Sequence, residues 1–217
     1  MTDTPSGPSA LEFTEEMKGY VTLGEPDYEP GFAEGKNKGT FLMFHLTIRL
    51  DDVGRFVTDP AHEGSAHGWV ECQELGGKLP VESGVFNLFV DTDDPARTLM
   101  LYRLFFADGA GHPLTLSGFK DVKDDPGLDV WQDTSTLYTR VLRGHVAAED
   151  EKEAELVASG IINIYMQDFA KQLTTFRVHG PSVHARMTAL TAFGRLFLGK
   201  LWELYASTVS AAEESPQ

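Results

Sequence analysis

The regular alternation of apolar and polar residues in the stretch FHLTIRL, Phe44 to Leu50, constrains the fold more than any other feature of this sequence. Successive side chains of a β-strand point to opposite faces, so this stretch predicts a strand with one buried and one exposed face. Turn-forming segments separate further apolar runs, and DGAGHP between two of them predicts a hairpin. These runs are GVFNLFVD, TLMLYRLFFAD, HPLTLSGFKDV, TSTLYTRVLRGHV and LVASGIINIYM. Short strands with few helices between them indicate a mainly β fold, an antiparallel β-sandwich or barrel.

A weak two-fold internal repeat accompanies this strand pattern. TEEMKGYV, which begins at Thr14, aligns with TRVLRGHV, which begins at Thr139, and LTIRLDDVGRF aligns with INIYMQDFAKQ. Each copy then reaches a His-Gly pair, at His67 and at His179. The repeated unit is a strand, a second strand, a short helical turn and a third strand. The two helical turns are predicted in DDVGRFV and QDFAKQL.

The pattern changes near the C-terminus to one long helix, PSVHARMTALTAFGRLFLGKLWELYAS, with Ser182 as its N-cap. Large apolar side chains surround most of this helix, so we expect it to dock on the domain's own sheet, on a partner or on a second subunit. The charged residues within the run argue against a membrane span. We therefore divide the chain into a loose tail at 1–10, a β-rich domain at 11–181, the C-terminal helix at 182–207 and a second loose tail at 208–217.

The composition excludes several classes of function. A net charge of −15 and a pI near 4.8 would repel phosphate backbones, so nucleic acid is not an expected partner. The single cysteine, Cys72, excludes an internal disulfide and a cysteine-based zinc cluster. The start of the chain, MTDTPSGPSALEF, lacks the basic and apolar segments of a signal peptide. Together these features predict a cytoplasmic protein.

The stretch TDPAHEGSAHGWV places His62 and His67 five residues apart, beside Asp59 and Glu63. A metal site, an acid/base pair and a turn between two elements are all compatible with this spacing. The helical zinc motif has a different spacing, and Gly64 is unfavourable in a helix. We interpret the stretch as a link between a short helical turn and the next strand, with its histidines in local hydrogen bonds. No metal is expected.

Sequence motifs for known catalytic centres are missing. The chain has no Gly-x-Ser-x-Gly elbow, no Gly-x-Gly-x-x-Gly fingerprint and no P-loop, so neither a flavin nor a nucleotide cofactor is expected. The acidic loops DTDD and DVKDDPGLD do not have the spacing of a calcium-binding EF-hand. If the protein is an enzyme, the candidate acid/base residues are His45, His67 and His145.

Aromatic residues are plentiful in the predicted strands, including Phe86, Phe89, Tyr102, Phe105, Phe106 and Phe119. A strand with aromatic residues on both faces is either buried on both sides or lines an apolar cavity with one of them. Under the second interpretation the ligand-binding residues are Tyr102, Leu104, Phe106 and Phe119. Under the first they are ordinary core residues.

Six segments of the chain are informative as a set: FTEEMKGYV, DDVGRFVTDPAHEGSAHGWV, GVFNLFV, LSGFKDVKDDPGLDVWQDTSTLYTRV, GIINIYMQDFAKQLTTFRVHG and FGRLFLGKLWELY. Together they resemble the accessory region attached to some bacterial GMC-type, cholesterol-oxidase-like flavoproteins and to some α/β-hydrolase proteins. The resemblance extends from about Phe13 to Tyr205, and the parents' flavin-binding glycine motif and hydrolase serine elbow are missing from this chain. It therefore implies a free-standing accessory module associated with enzymes of sterol- or lipid-like substrates, without their chemistry.

Three functional hypotheses follow. The first is a non-catalytic module that binds an apolar, sterol- or lipid-like small molecule or a partner oxidoreductase or hydrolase. The second is a small cofactor-free enzyme, an isomerase, cyclase or lyase, that uses a pocket histidine as acid/base. The third is a purely structural subunit that assembles through the C-terminal helix. An apolar pocket without a titratable group would favour the binding module, and an apolar pocket with one would favour the enzyme. The absence of a pocket would favour the structural subunit.

Overall fold

The structure is a computed structural model that describes residues 7–123, 134–165, 168, 171–172 and 174–197. Its strands are β1 Ala10–Leu23, β2 Phe41–Leu50, β3 Glu63–Cys72, β4 Gly77–Asp91, β5 Arg97–Ala107, β6 Pro113–Lys123, β7 Thr136–Arg143, β8 Leu156–Asn163 and β9 Arg177–His179. Its helices are α1 Tyr28–Lys38, α2 Val53–Thr58 and α3 at residues 183–197, with a short 3-10 helix at Gln73–Leu75.

Strands β1 to β8 form a closed antiparallel barrel. Each strand pairs with the next along the chain, and β8 returns to pair with β1. Closure depends on the length of β1, which pairs with β2 over Leu11–Tyr20 and with β8 over Lys18–Leu23. The mainly β, antiparallel prediction is thus confirmed, and the barrel is the correct one of its two alternatives.

The barrel interior is filled by the apolar positions of the alternating strands. In β2, the buried residues are those that the FHLTIRL pattern assigns to one face, and Phe44, Leu46 and Ile48 have no accessible surface. Tyr102 of β5 packs between Phe44 and Phe86, with ring centroids 5.7 and 5.1 Å away. A cavity large enough for a ligand would leave accessible surface on its walls, and the inward side chains of the described strands have almost none.

Helix α3 covers one end of the barrel, as expected for a helix with large apolar side chains around most of its circumference. Phe193 is 3% exposed and contacts Phe13 of β1, Phe56 of α2 and Phe176, with centroids 5.7–6.1 Å apart. Phe197 adds a contact with Phe89 at the end of β4. The docked helix is confirmed for residues 183–197. The remainder of the predicted helix, to residue 207, and the expected tail at 208–217 lie outside the described residues.

Helix α1 is an element that the sequence patterns did not predict. Its eleven residues include Pro30 and two glycines, Gly31 and Gly35, which are poor helix formers. A Cβ atom at Gly31 would lie 2.3 Å from the carbonyl oxygen of Ser159, and one at Gly35 would lie 2.2 Å from that of Val21. The glycines therefore let the helix lie directly against the strand backbone on the outside of β1 and β8. This tertiary contact outweighs the low helix propensity of its residues.

The remaining predictions have mixed outcomes. Helix α2 forms in DDVGRFV with Asp52 as its N-cap, while the second helical turn, in QDFAKQL, lies mostly outside the described residues. The third strands of the two repeat copies pair differently, because β3 pairs with β2 whereas β9 pairs with β1. Strand β1 begins at Ala10, and the Ser9 carbonyl accepts a hydrogen bond from Val53, so part of the expected tail at 1–10 is ordered.

Candidate functional site

The three candidate catalytic histidines lie on the outer surface of the barrel, with His45 and His67 two register positions apart on the neighbouring strands β2 and β3. His45 of β2 stacks on Trp69, with centroids 5.5 Å apart, and its Nδ1 lies 3.2 Å from Oε2 of Glu16. His67 is exposed on β3, and His145 follows β7 beside Glu82, with Nε2 3.6 Å from a carboxylate oxygen. All three are open to solvent, with the side chains of His45 and His145 38% and 44% exposed. This geometry therefore gives no support to an acid/base centre in which a histidine faces a substrate inside a pocket.

The histidine-rich stretch TDPAHEGSAHGWV links α2 to β3, as its sequence indicates. His62 has a positive φ of 40°, and its Nδ1 lies 2.7 Å from the carbonyl oxygen of Phe56. The ring therefore closes the turn by a local hydrogen bond. Within the described part of the chain, no group of three or more His, Cys, Asp or Glu side chains is placed to hold a metal ion.

Three polar side chains lie inside the barrel and contact one another. Nζ of Lys120 donates to Oε1 of Glu15 at 2.9 Å, and the hydroxyl of Tyr102 donates to the same carboxylate at 2.9 and 3.0 Å. The side chains of Glu15 and Lys120 are each 3% exposed. Burial, together with the adjacent Glu15 carboxylate, raises the pKa of the Tyr102 phenol well above its usual value. The phenol therefore remains a neutral hydrogen-bond donor in a cluster that solvent does not reach.

The four predicted ligand-binding residues are divided between the two faces of the barrel wall. Tyr102, Leu104 and Phe106 point into the barrel and are at most 2% exposed, so they form part of the core. Phe119 points outward, where its ring contacts Tyr28 and Tyr138 at 5.8 and 5.2 Å. The division follows from residue parity along the strands, since Phe119 is paired with Leu101 rather than with Tyr102.

A groove of about 470 Å³ lies on the outer face of β4, β5 and β6. Its volume is within the usual range of roughly 300–1,000 Å³ for small-molecule sites. Two rows of side chains cross the strands here. One row is mainly apolar and carries Leu101 and Phe119, and the neighbouring row carries Val85, Arg103 and Ser117. Asn87, Arg97, Leu99, Ala148 and Glu151 complete much of the lining.

The polar row is closed by a carboxylate from the loop between β7 and β8. Nη2 of Arg103 donates to Oε2 of Glu151 at 2.6 Å, and the hydroxyl of Ser117 donates to the same oxygen at 2.7 Å. The side chains of Arg103 and Glu151 are 18% and 24% exposed, so this ion pair lies at the boundary with solvent. The groove thus combines an apolar floor with an arginine and a hydroxyl on one side, which suits an amphipathic molecule.

Comparison of the chain with protein-family models, with curated proteins and with solved structures finds no significant match. Among the described helices, none is both long and apolar enough to cross a bilayer. The case for a function therefore depends on the geometry of the groove.

Sequence reasoning missed the polar residues of both sites, although the positions of those inside the barrel carried a signal. Glu15 falls in phase with Phe13 and Met17, and Lys120 falls in phase with Leu116 and Val122, on the buried face of their strands. A charged residue at an apolar position of an alternating strand must find a partner, and the two partners are on strands far apart in sequence. Arg103 and Ser117 occupy ordinary outward positions, so no local pattern distinguishes them.

Proposed function

We propose that this chain is a non-catalytic binding module and that its outer groove holds an apolar, sterol- or lipid-like small molecule. The observation that carries the proposal is the pair of adjacent rows, one apolar and one polar, across β5 and β6. Ligand sites commonly combine an apolar lining with a few convergent polar groups. The sealed interior leaves the outer face as the place for such a ligand, and the cytoplasmic location expected from the sequence belongs to the same proposal.

The resemblance to the accessory region of GMC-type flavoproteins supports the same ligand class, because it implies association with enzymes of sterol- or lipid-like substrates. The alternative of a cofactor-free enzyme has less support. Acid/base catalysis requires a titratable group facing a substrate, and the candidate histidines are at the surface while the Glu15 cluster is sealed.

Titration with a fluorescent sterol tests the proposal. We expect saturable binding by the wild-type protein and at least tenfold weaker binding by Leu101→Gln, because a polar amide replaces part of the apolar floor. Phe41→Gln is a matched control, since Phe41 is apolar, 37% exposed and outside the groove. Equal affinity of the Leu101→Gln variant and the wild type, or no binding of either sterols or long-chain lipids, would contradict the proposal.

A second candidate function is self-assembly through α3, for which the exposed face of that helix is the specific observation. Val183, Met187 and Leu190 are 67%, 58% and 40% exposed and lie along one face of the helix. Arg186 and Arg195 are exposed on the same helix, and a second copy of this acidic chain offers carboxylates to them. Sedimentation velocity tests this candidate: we expect Met187→Glu to dissociate an oligomer, and a wild-type protein that is monomeric at every concentration would refute it.

A further inference from the structure

The carboxylate of Glu151 occupies a position with the features of an anion-binding site. One of its oxygens, Oε2, accepts hydrogen bonds from Arg103 and Ser117, which lie on neighbouring strands. A guanidinium and a hydroxyl that converge on one oxygen are typical donors to carboxylate ligands. Because the donors are on the barrel wall and the acceptor is on a loop, the acceptor is the more replaceable part of this arrangement.

A second arginine lies next to Ser117 in the barrel wall. Arg140 of β7 is paired with Ser117 across the β6–β7 ladder, on the side opposite Arg103. Its Nη2 donates to the Pro26 carbonyl at 3.2 Å, and its guanidinium carbon lies 4.7 Å from the centre of the Tyr28 ring. Within the described part of the chain, its Nε is buried without a hydrogen-bond partner. Two arginines therefore flank the single hydroxyl to which the Glu151 carboxylate binds.

The loop that carries Glu151 can leave the groove without disrupting the barrel. It connects β7 to β8 and is bound to the barrel wall mainly through Val146, whose N–H donates to Thr115 and whose carbonyl accepts from Arg103. Residues 147–154 form turns and bends rather than a paired strand. Moving Glu151 outward therefore breaks side-chain hydrogen bonds and leaves the strand ladders intact.

We infer that the position of the Glu151 carboxylate is the subsite for the anionic head group of an amphipathic ligand, a long-chain or sterol-derived carboxylate. Glu151 holds the subsite closed, and the ligand carboxylate displaces it to bind Arg103 and Ser117. The ligand's apolar part then lies over Leu101 and Phe119, which are two positions along the same strands, roughly 7 Å away. This inference rests on the proposed function and adds the charge of the ligand to it.

Two probes of equal chain length, dodecanoate and dodecanol, test the inference by calorimetric titration of the full chain. We expect Glu151→Ala to bind dodecanoate at least tenfold more tightly than the wild type, because the internal competitor is removed, and to bind dodecanol within twofold of the wild type. Glu153→Ala is the matched control, since it removes the same charge from an exposed position of the same loop. It should change neither affinity. Arg103→Met should weaken dodecanoate binding at least tenfold and spare dodecanol.

The outcomes separate this inference from the proposed function. Unchanged dodecanoate affinity in Glu151→Ala, or an equal gain in Glu153→Ala, would overturn the inference, since charge alone would then explain any gain. If dodecanol still binds and Leu101→Gln weakens it, the groove remains the ligand site while the anionic subsite is rejected. If neither probe binds to any variant, the anionic subsite is rejected, and the sterol titration alone then decides the proposed function.

Discussion

Two carboxylate–cation pairs, one inside the barrel and one in the groove on its outer face, differ in exposure rather than in chemistry. Inside, Lys120 binds Glu15 at 2.9 Å, and both side chains are 3% exposed. Outside, Arg103 binds Glu151 at 2.6 Å, with side chains 18% and 24% exposed. The interior pair has no access to water or ligand, so its partners can only satisfy each other. The outer pair can exchange its carboxylate for one from solution.

Desolvation makes this difference energetic as well as geometric. Removing one member of a buried ion pair leaves an uncompensated charge and typically costs about 3–5 kcal/mol. Breaking a pair near the surface typically costs about 0.2–1 kcal/mol, because water replaces the lost partner. Loss of one partner is therefore expected to cost much more stability in the interior pair than in the outer pair.

The largest expected effect comes from making the same substitution on the two faces. Glu15→Gln should lower the free energy of unfolding by about 3–5 kcal/mol, because the buried Lys120 side chain would lose the carboxylate that compensates its charge. Glu151→Gln should lower it by less than about 1 kcal/mol. Urea unfolding followed by circular dichroism measures both. Similar losses for the two variants would show that burial does not make the interior pair more important for stability than the outer pair.

The triple variant Glu15→Leu/Tyr102→Phe/Lys120→Met serves as the control for that experiment. It removes the whole polar cluster at similar volume, so no buried donor is left without an acceptor. We expect it to be more stable than Glu15→Gln. A triple variant as unstable as the single one would mean that packing, rather than the buried charge, determines the loss.

A second effect concerns the seal of the interior at the barrel end. Phe193→Ala should cost about 3 kcal/mol of unfolding free energy, at the lower end of the range for buried phenylalanines, because a site at the barrel end can partly collapse. Met187→Ala, on the exposed face of the same helix, should change it by less than about 0.5 kcal/mol. Urea unfolding of both variants provides the measurement, and equal losses would show that α3 does not seal the barrel through Phe193.

A smaller effect is expected from Arg103→Met, which tests whether the outer ion pair holds the β7–β8 loop against the barrel wall. We expect less than about 1 kcal/mol of global destabilisation, together with faster hydrogen exchange at the Val146 amide, because the loop loses its main contact with the barrel wall. Arg49→Met is the control, since it breaks an exposed pair with Asp51 far from this loop. Unchanged exchange at Val146 would show that the ion pair does not hold the loop.

The smallest effect is expected at Glu16, which follows Glu15 in the chain but points outward. Partial burial opposes ionisation of Glu16, yet hydrogen bonds from Lys18 and His45 hold its pKa below the ordinary value of 4.5. A lowered folded-state pKa stabilises the fold above the unfolded pKa, and this contribution is lost as the pH falls through the folded-state value. The difference in unfolding free energy between wild type and Glu16→Gln, about 0.5 kcal/mol at pH 6, should shrink toward pH 3. A difference that grows on acidification would contradict this.

The alternation in the sequence was sufficient to predict most strands, the β5–β6 hairpin, helix α2 and the antiparallel fold class. The apolar residues of the C-terminal segment also predicted that α3 would dock, because a helix with large apolar side chains around its circumference cannot remain in solvent. These features depend on period and composition, which are local properties of the chain. Helix α1 could not be predicted in this way, since its glycines are explained only by the strand backbone that they contact.

What only the tertiary structure decided is which residues meet. The sequence alone determined that Glu15 and Lys120 lie on the apolar faces of their strands, and barrel closure brought them together across 105 positions of the chain. The packing of the β7–β8 loop against the barrel wall likewise brought Glu151 to Arg103 across 48 positions. Side-chain direction follows from local alternation, whereas contact between distant strands depends on register and closure, which no short stretch of sequence contains.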